Sequence, residues 1–403
     1  MRTMRGLLCC LLLLLQTGCW NRVELNDVAI ISATGVDWQN GKWVLSYQVV
    51  IPKAISSQSG ESGSAAVNVF STTGDNFRIA ISKASEETSR RLYFSHNQVV
   101  IIGESAARKG MGPLLESYLR NHDSRETVSM FLSKGSARRM LEQLVPLEQI
   151  PGAAIQRMIA NEEHGSSAFR QMTANDVLME LLGSAQATSI PGLVIAGEGE
   201  GTDSVGMLGK TTTPTKVRLS ELGLIQGDKL VGWIDDEQSR GLMWLTNHIN
   251  KTTLSFSCAG GSKSRASSSA KILTASTKLT PEHVDGKWLI KAKVEATGLL
   301  MEYNCPGDLS KPAEVEKLER RIEEEIKAVI AEGWEAVRKQ GVDVTGFGTL
   351  IHKRYPKLWK QASADWKELF PKTELEVEAR MKLNSTGMSG RNFKDAQKKA
   401  GGG

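Results

Sequence analysis

The chain has 403 residues, with 50 Lys and Arg against 45 Asp and Glu, and a formal net charge of +5. At about 150 residues per domain, that length suits two or three domains with real cores. A charge so nearly balanced is weak support for nucleic-acid binding, no RNA or DNA motif accompanies it, and no stretch beyond residue 19 is apolar for long enough to span a bilayer.

Arg2 and Arg5 precede an apolar run at 7–15, and Gln16, Thr17 and Gly18 lead into Cys19. This pattern reads as a lipoprotein signal peptide, 1–18, with the mature chain starting at Cys19. Removing two arginines would leave a net charge of +3 (5 − 2). A diacylglycerol and further acyl chains on the Cys19 thiol would contribute about 0.8 kcal/mol per buried methylene to membrane attachment. Cleavage that leaves Cys19 as a thiol, or an uncleaved N-terminal anchor, are the alternatives. Cys9 and Cys10 belong to the apolar run.

Residues 28–38 and 42–51 are rich in β-branched and aromatic residues and flank Asn40-Gly41, which predicts a hairpin with a type I′ turn. Ser and Gly fill a loop at 54–66, and a short strand follows at 67–72. A helix over 75–91, a buried strand over 97–103, a helix over 104–122, a strand over 127–133 and a helix over 136–144 give a mixed α/β pattern. A further helix is expected at 173–183 and a strand at 189–196. The stretch 197–216 holds Gly, Ser and Thr with few large apolar residues, and reads as a linker between an N-terminal α/β domain, 19–196, and a C-terminal one, 217–384.

The second half opens with a hairpin at 219–225 and 230–234. A helix over 235–247 follows, with Asp235, Asp236 and Glu237 in its first turn. Strands are expected at 252–258, 270–278 and 288–299. The longest helix, 312–339, steps apolar residues by three and four through Val315, Leu318, Ile322, Ile326, Val329, Gly333 and Val337, a core face for the second sheet. A helix at 349–362 and a strand at 373–381 complete the domain. The tail, 385–403, is basic and Gly-rich and reads as disordered. The fold class is therefore α+β, or mixed α/β, with two to three small domains that each carry a mixed sheet flanked by helices.

A search for chemistry returns little. There is no GxSxG elbow, HExxH, Walker loop or dinucleotide-type GxGxxG. The six histidines, His96, His122, His164, His248, His283 and His352, lack metal-ligand spacing. Asp235, Asp236 and Glu237 read as caps that oppose the helix dipole, with Arg240 spaced for an ion pair to Asp236 or Glu237. Cys258 and Cys305 are two buried thiols or a disulfide, which a compartment outside the cytoplasm permits.

Cys19, Trp20, Asn21, Arg22, Val23 and Glu24 resemble the mature start of the Ger(x)C lipoproteins, the C subunits of spore nutrient germinant receptors. The segment from Ser89 through Tyr93, His96 and Asn97 to Gln98 is similar to that family's arginine, aromatic and His-Asn segment. The run from Asp228 through Gly232, Trp233 and Asp235 to Gly241 is similar to its most recognisable motif, and Gly346-Phe347-Gly348 and Pro356 to Trp359 agree near the end. Gln16 and Asn21 depart from the pattern. The resemblance implies a non-enzymatic lipoprotein, without cofactor, on the outer face of the spore inner membrane of an endospore-forming bacterium. Its partners would be membrane lipid and polytopic A-type and B-type receptor subunits, its architecture elongated and of three small domains. Trp20, Arg22 and Glu24 are then candidates to orient the chain at the membrane, and Asp236, Glu237 and Arg240 to dock a partner. The alternatives are a solute-binding lipoprotein of a transporter, which needs a deep polar cleft, and a cell-envelope hydrolase, which needs a suitably spaced carboxylate pair.

Overall fold

The structure, a computed structural model, describes residues 27–56, 64–120, 125–199, 201–257, 268–387, 390–392 and 397. Two mixed sheets organise them, each flanked by helices. The first has nine strands: β1 (Val28–Gln39), β2 (Lys42–Val50), β3 (Val67–Gly74), β4 (Arg91–Tyr93), β5 (Val99–Gly103), β6 (Ser129–Ser133), β7 (Ala187–Gly197), β8 (Thr215–Gln226) and β9 (Lys229–Ile234). Their order is β3-β2-β1-β5-β6-β7-β8-β9, and β4 pairs with β1. The middle of the sheet, β1-β5-β6-β7, is parallel, and an antiparallel wing flanks it on each side. Every residue of β5 and β6 is buried, as expected of parallel strands covered on both faces. Asn40 and Gly41 both take positive φ, 51° and 74°, so the β1–β2 turn is the type I′ turn that Asn-Gly predicts.

The second sheet has four strands in the order β10 (Thr252–Phe256), β11 (Ser268–Val284), β12 (Lys287–Glu302) and β13 (Glu374–Ser385). β12 alternates buried and exposed residues, so the sheet has one covered face and one wet face. A helix of 29 residues, Pro312–Gln340, lies on the covered face and buries Leu318, Ile322, Ile326, Ile330, Gly333, Trp334 and Val337. Its glutamates do more than face water. Glu319 and Glu323 accept the backbone N–H groups of Leu383 at 2.8 Å and Met381 at 2.9 Å, which covers part of edge strand β13. Gly341, at φ 68°, ends the helix in the left-handed conformation.

Several boundaries differ from those the sequence predicts. The stretch 197–216 joins β7 to β8, antiparallel neighbours in the first sheet, and the sheets change only after β9. Thr202 is buried in it, and its N–H reaches Gln143 Oε1 at 3.1 Å and Thr215 Oγ1 at 2.9 Å, so this connection is tied down. The expected helix over 104–122 breaks at Gly110, whose φ of 129° no right-handed helix accommodates. The one over 349–362 breaks before Pro356, which cannot extend the preceding turn. The helix Pro151–Gly165 was not predicted, although proline at its first position is a start signal. β11 runs to Val284 and turns over Asp285-Gly286, both at positive φ. In the tail, Gly390 accepts from Leu309 N–H at 2.7 Å and Arg391 reaches Asp308 at 2.9 Å, so residues 390–392 are held rather than loose. Hydrogen bonds from Ser310 and then Arg391 lower the Asp308 pKa to about 2. No third sheet occurs among the described residues.

One buried cluster runs through both sheets. It joins Ala33, Val99 and Phe131 of the first to Phe256, Ile272 and Ile290 of the second through Leu242, Met243 and Trp244. The opposite face of the first sheet has its own cluster, around Tyr47, Phe77, Val100 and Met130.

Candidate functional site

Cys19, Trp20, Arg22 and Glu24 lie outside the described residues. So does Cys258. Cys305 is fully buried and disulfide-bonded, which replaces the free-thiol alternative for that residue. The remaining candidates, Asp236, Glu237 and Arg240, sit on the helix Asp236–Leu245, which links the two sheets.

This joint can be built residue by residue from the turn before it. Asp228 closes the β8–β9 hairpin and reaches sideways: its carbonyl accepts from Met111 N–H at 2.7 Å and its carboxylate from Gly112 N–H at 3.1 Å. A Cβ at Gly110 or Gly112 would come within 2.6 or 2.9 Å of that carboxylate. Trp233, half-buried on β9, lies over Gly192 and Gly223, where added Cβ atoms would approach its ring to 2.7 and 3.2 Å. Lys134 Nζ sits 5.4 Å from the Trp233 ring centroid and also pairs with Glu221. Trp233 is thus half core and half surface.

Asp235 caps the helix, accepting from Gln238 N–H at 2.8 Å, and Gln238 Oε1 accepts in return from Asp235 N–H at 3.2 Å. Ser239 is buried and donates to the carbonyl of Ala168. Gly241 crosses Gly333 of the long helix so closely that a Cβ on Gly241 would lie 2.1 Å from the Val329 carbonyl oxygen. Two glycines are required because two helix backbones meet there.

Of the predicted contacts, Asp236 and Glu237 are exposed. Arg240 is half-buried, and its Nε has no hydrogen-bond partner. The ion pair expected from Asp236 or Glu237 to Arg240 is absent among the described residues. Across the helix crossing, burial and then the charges of Glu237 and Asp235 raise the pKa of Glu332. The joint therefore shows solvent a small acidic face at Asp236 and Glu237, while Asp228, Trp233, Asp235, Ser239 and Gly241 are engaged in packing or hydrogen bonds.

A second feature lies where the two halves meet, and sequence reasoning missed it. Arg170 donates to His248 Nε2 at 2.9 Å and pairs with Glu180, whose other oxygen accepts from Thr188 Oγ1 at 2.6 Å. His248 Nδ1 lies 3.0 Å from Thr246 Oγ1, which itself donates to the Leu242 carbonyl. Burial first, then Arg170, lowers the His248 pKa to about 4. The imidazole is thus neutral at neutral pH, with Nε2 accepting and Nδ1–H facing the Thr246 oxygen. These groups border a cleft of about 330 Å³, which Asp343 also lines. Asp343 is occupied by four donors: Thr345 Oγ1, the N–H groups of Phe347 and Gly348, and Trp366 Nε1. No signal in the sequence joins Arg170 to His248, since tertiary packing alone brings them together.

Among the described residues, no group of His, Cys, Asp and Glu is arranged to hold a metal. No described helix is long and apolar enough to cross a membrane.

Residues 21–195 match the family described as spore germination protein N-terminal domain, and residues 220–387 the one described as spore germination B3/GerAC like, C-terminal. Spore germination protein KC of Bacillus subtilis (strain 168) is 31% identical over 92% of each chain. Putative spore germination protein YfkR of the same organism is 24% identical, also over 92% of each. The crystal structure of the GerBC protein superposes with a TM-score of 0.52 at 18% identity and covers 87% of this chain and 96% of its own, a likeness of fold.

Proposed function

Since the chain belongs to the Ger(x)C family of spore germination proteins, we propose that it acts as the C subunit of a nutrient germinant receptor. In this reading a lipid on Cys19 holds it to the outer face of the spore inner membrane, beside polytopic A-type and B-type subunits. The carrying observation is the match to spore germination protein KC along nearly the whole of both chains. The lack of a membrane-crossing helix among the described residues fits attachment by a lipid. The lipid would convert encounter with membrane partners into a two-dimensional search and so raise effective concentration. Trp20, Arg22 and Glu24, directly after the lipidated residue, would then lie at the membrane surface.

The exposed carboxylates Asp236 and Glu237 are the part of the joint left for a partner, since the residues around them are committed to packing. This refines the docking surface to the outward face of the first helical turn, where carboxylates also complement the helix dipole. A cationic cytoplasm-distal loop of a polytopic subunit is the matching chemistry.

Affinity purification of the tagged full chain from detergent-solubilised spore membranes, with mass spectrometry of what accompanies it, tests the receptor reading. Two polytopic germination subunits should co-purify with the native chain, and Cys19→Ala should move the protein out of the membrane fraction. Recovery of the native chain alone would count against a receptor complex.

The solute-binding reading has one observation in its favour, the cleft beside His248. Its polar groups are already engaged with one another, leaving a solute little to bind except shape. Calorimetry of the full chain with amino acids, sugars and nucleosides would restore that reading if it gave heat that saturates.

A further inference from the structure

On the face of the first sheet away from the joint, a cavity of about 320 Å³ opens between the sheet and the helices Phe77–Ser82 and Gly112–Arg120. Its walls are Val36, Leu45, Phe77, Phe94, Val100 and Leu114. The volume is about twice the ~150 Å³ at which an apolar cavity takes up a benzene ring, and it falls at the lower end of the range for small-molecule sites.

Two polar atoms set it apart from a packing defect. Thr34 is 8% exposed, and its Oγ1 is buried with no hydrogen-bond partner. Asn97 Oδ1 is likewise buried and unpartnered. Both residues line the cavity. A buried polar atom left without a partner costs about 1–3 kcal/mol, so two on one cavity are not expected unless something meets them. Two hydroxyls of the wall are engaged: Tyr47 Oη with Thr72 at 3.1 Å and Ser117 Oγ with the Leu114 carbonyl at 2.7 Å. Burial raises the phenols of Tyr47, to about 12, and of Tyr118, so neither supplies charge at neutral pH.

The rim adds a sign. Glu116 pairs with Arg120. Arg78 is exposed, and it also lines an adjoining depression with Arg90 and Arg91. None of these three arginines forms an ion pair among the described residues. The approach is therefore positive and disfavours a cation.

We propose that this cavity is a binding site for a small, uncharged, largely apolar molecule that carries a hydroxyl, with the hydroxyl donating to Asn97 Oδ1 and meeting Thr34 Oγ1. The proposal does not depend on the receptor reading. It gives the segment from Ser89 to Gln98 a physical role, because Phe94 and Asn97 form part of the wall.

The test is ligand-observed fluorine NMR on the full chain in lipid nanodiscs, with empty nanodiscs subtracted. The probes are para-fluorobenzyl alcohol, para-fluorotoluene and para-fluorobenzylamine. Saturable binding is expected for the alcohol, weaker by roughly tenfold for the toluene, which lacks the donor, and weaker again for the cationic amine. Thr34→Val keeps the side-chain shape and removes the hydroxyl. It should weaken the alcohol about tenfold while leaving Tm equal or higher, since an unpartnered buried group is removed. Leu114→Phe should abolish binding by filling the space. If that variant does not fold, Thr34→Val decides alone. No saturable binding of the alcohol would show a site that holds water only, and equal binding of all three probes would show that the cavity does not recognise the hydroxyl; either result overturns the proposal. An unchanged affinity in Thr34→Val would equally overturn the proposal.

Discussion

The two stretches with the most distinctive sequence, 89–98 and 228–241, are used in opposite ways. In 228–241 the distinctive residues have packing or hydrogen-bond partners: Asp228 on the 110–112 turn, Trp233 on a glycine floor, Asp235 in a capping box, and Gly241 against Gly333. In 89–98 the chain passes from β4 through a 3-10 turn to β5 and leaves Asn97 Oδ1 unpartnered beside a cavity. A distinctive motif can therefore record a close backbone contact or an opening. Only the partner atoms tell which.

The sharpest way to break this contrast is at the helix crossing. Gly241→Val places atoms where the Val329 carbonyl already lies, and should cost about 4 kcal/mol or more, or prevent folding, as read by urea denaturation. Tolerance of valine there would mean that the joint is loose and the motif has some other purpose.

A smaller effect is expected at the inter-half network, and it depends on pH. The folded-state pKa of His248, about 4, is below the ordinary histidine value of 6.5. The unfolded chain therefore takes up the proton first as pH falls. Stability should be full above about pH 6.5, fall between 6.5 and 4, and flatten below, by at most about 3 kcal/mol in all. Tm measured across this range should lose much of its slope in His248→Asn. An unchanged slope would assign the pH dependence to other groups.

Asp235→Ala, which removes the cap, should cost about 1 kcal/mol in the same denaturation experiment. Asp236→Ala and Glu237→Ala should change stability by less than about 0.5 kcal/mol, because both side chains are exposed. Their effect belongs in the co-purification experiment, where the double variant should lose partner subunits at unchanged protein level. A fall in protein level with partners retained would return these carboxylates to a purely structural role.

Much of the fold is legible in the sequence because it depends on local rules. Asn40-Gly41 specifies its hairpin turn through positive φ at two residues, Thr173 and Asp176 form a reciprocal cap, and the stripe from Leu318 to Val337 marks the face of the long helix. The candidate site is less legible. Asp236 and Glu237 are found exposed in the first turn beside the capping Asp235, but Arg240 forms no pair with them, and its Nε is buried without a hydrogen-bond partner. The network of Arg170, Glu180 and His248 carries no local signature because its members are brought together across 78 residues of chain.

Composition and periodicity, which act within a few residues, determined where most helices and turns form and that mixed sheets flanked by helices would follow. The ordered motifs along the chain also pointed to the family. Which strands are neighbours was decided by tertiary structure. The stretch 197–216 has the composition of a linker, yet it joins two strands of one sheet, in which Leu193 of β7 and Val217, Leu222 and Leu224 of β8 share one buried cluster. The same holds for the cavity beside Thr34 and Asn97. Its walls come from separate strands and helices, and an empty space, unlike a turn, has no sequence of its own.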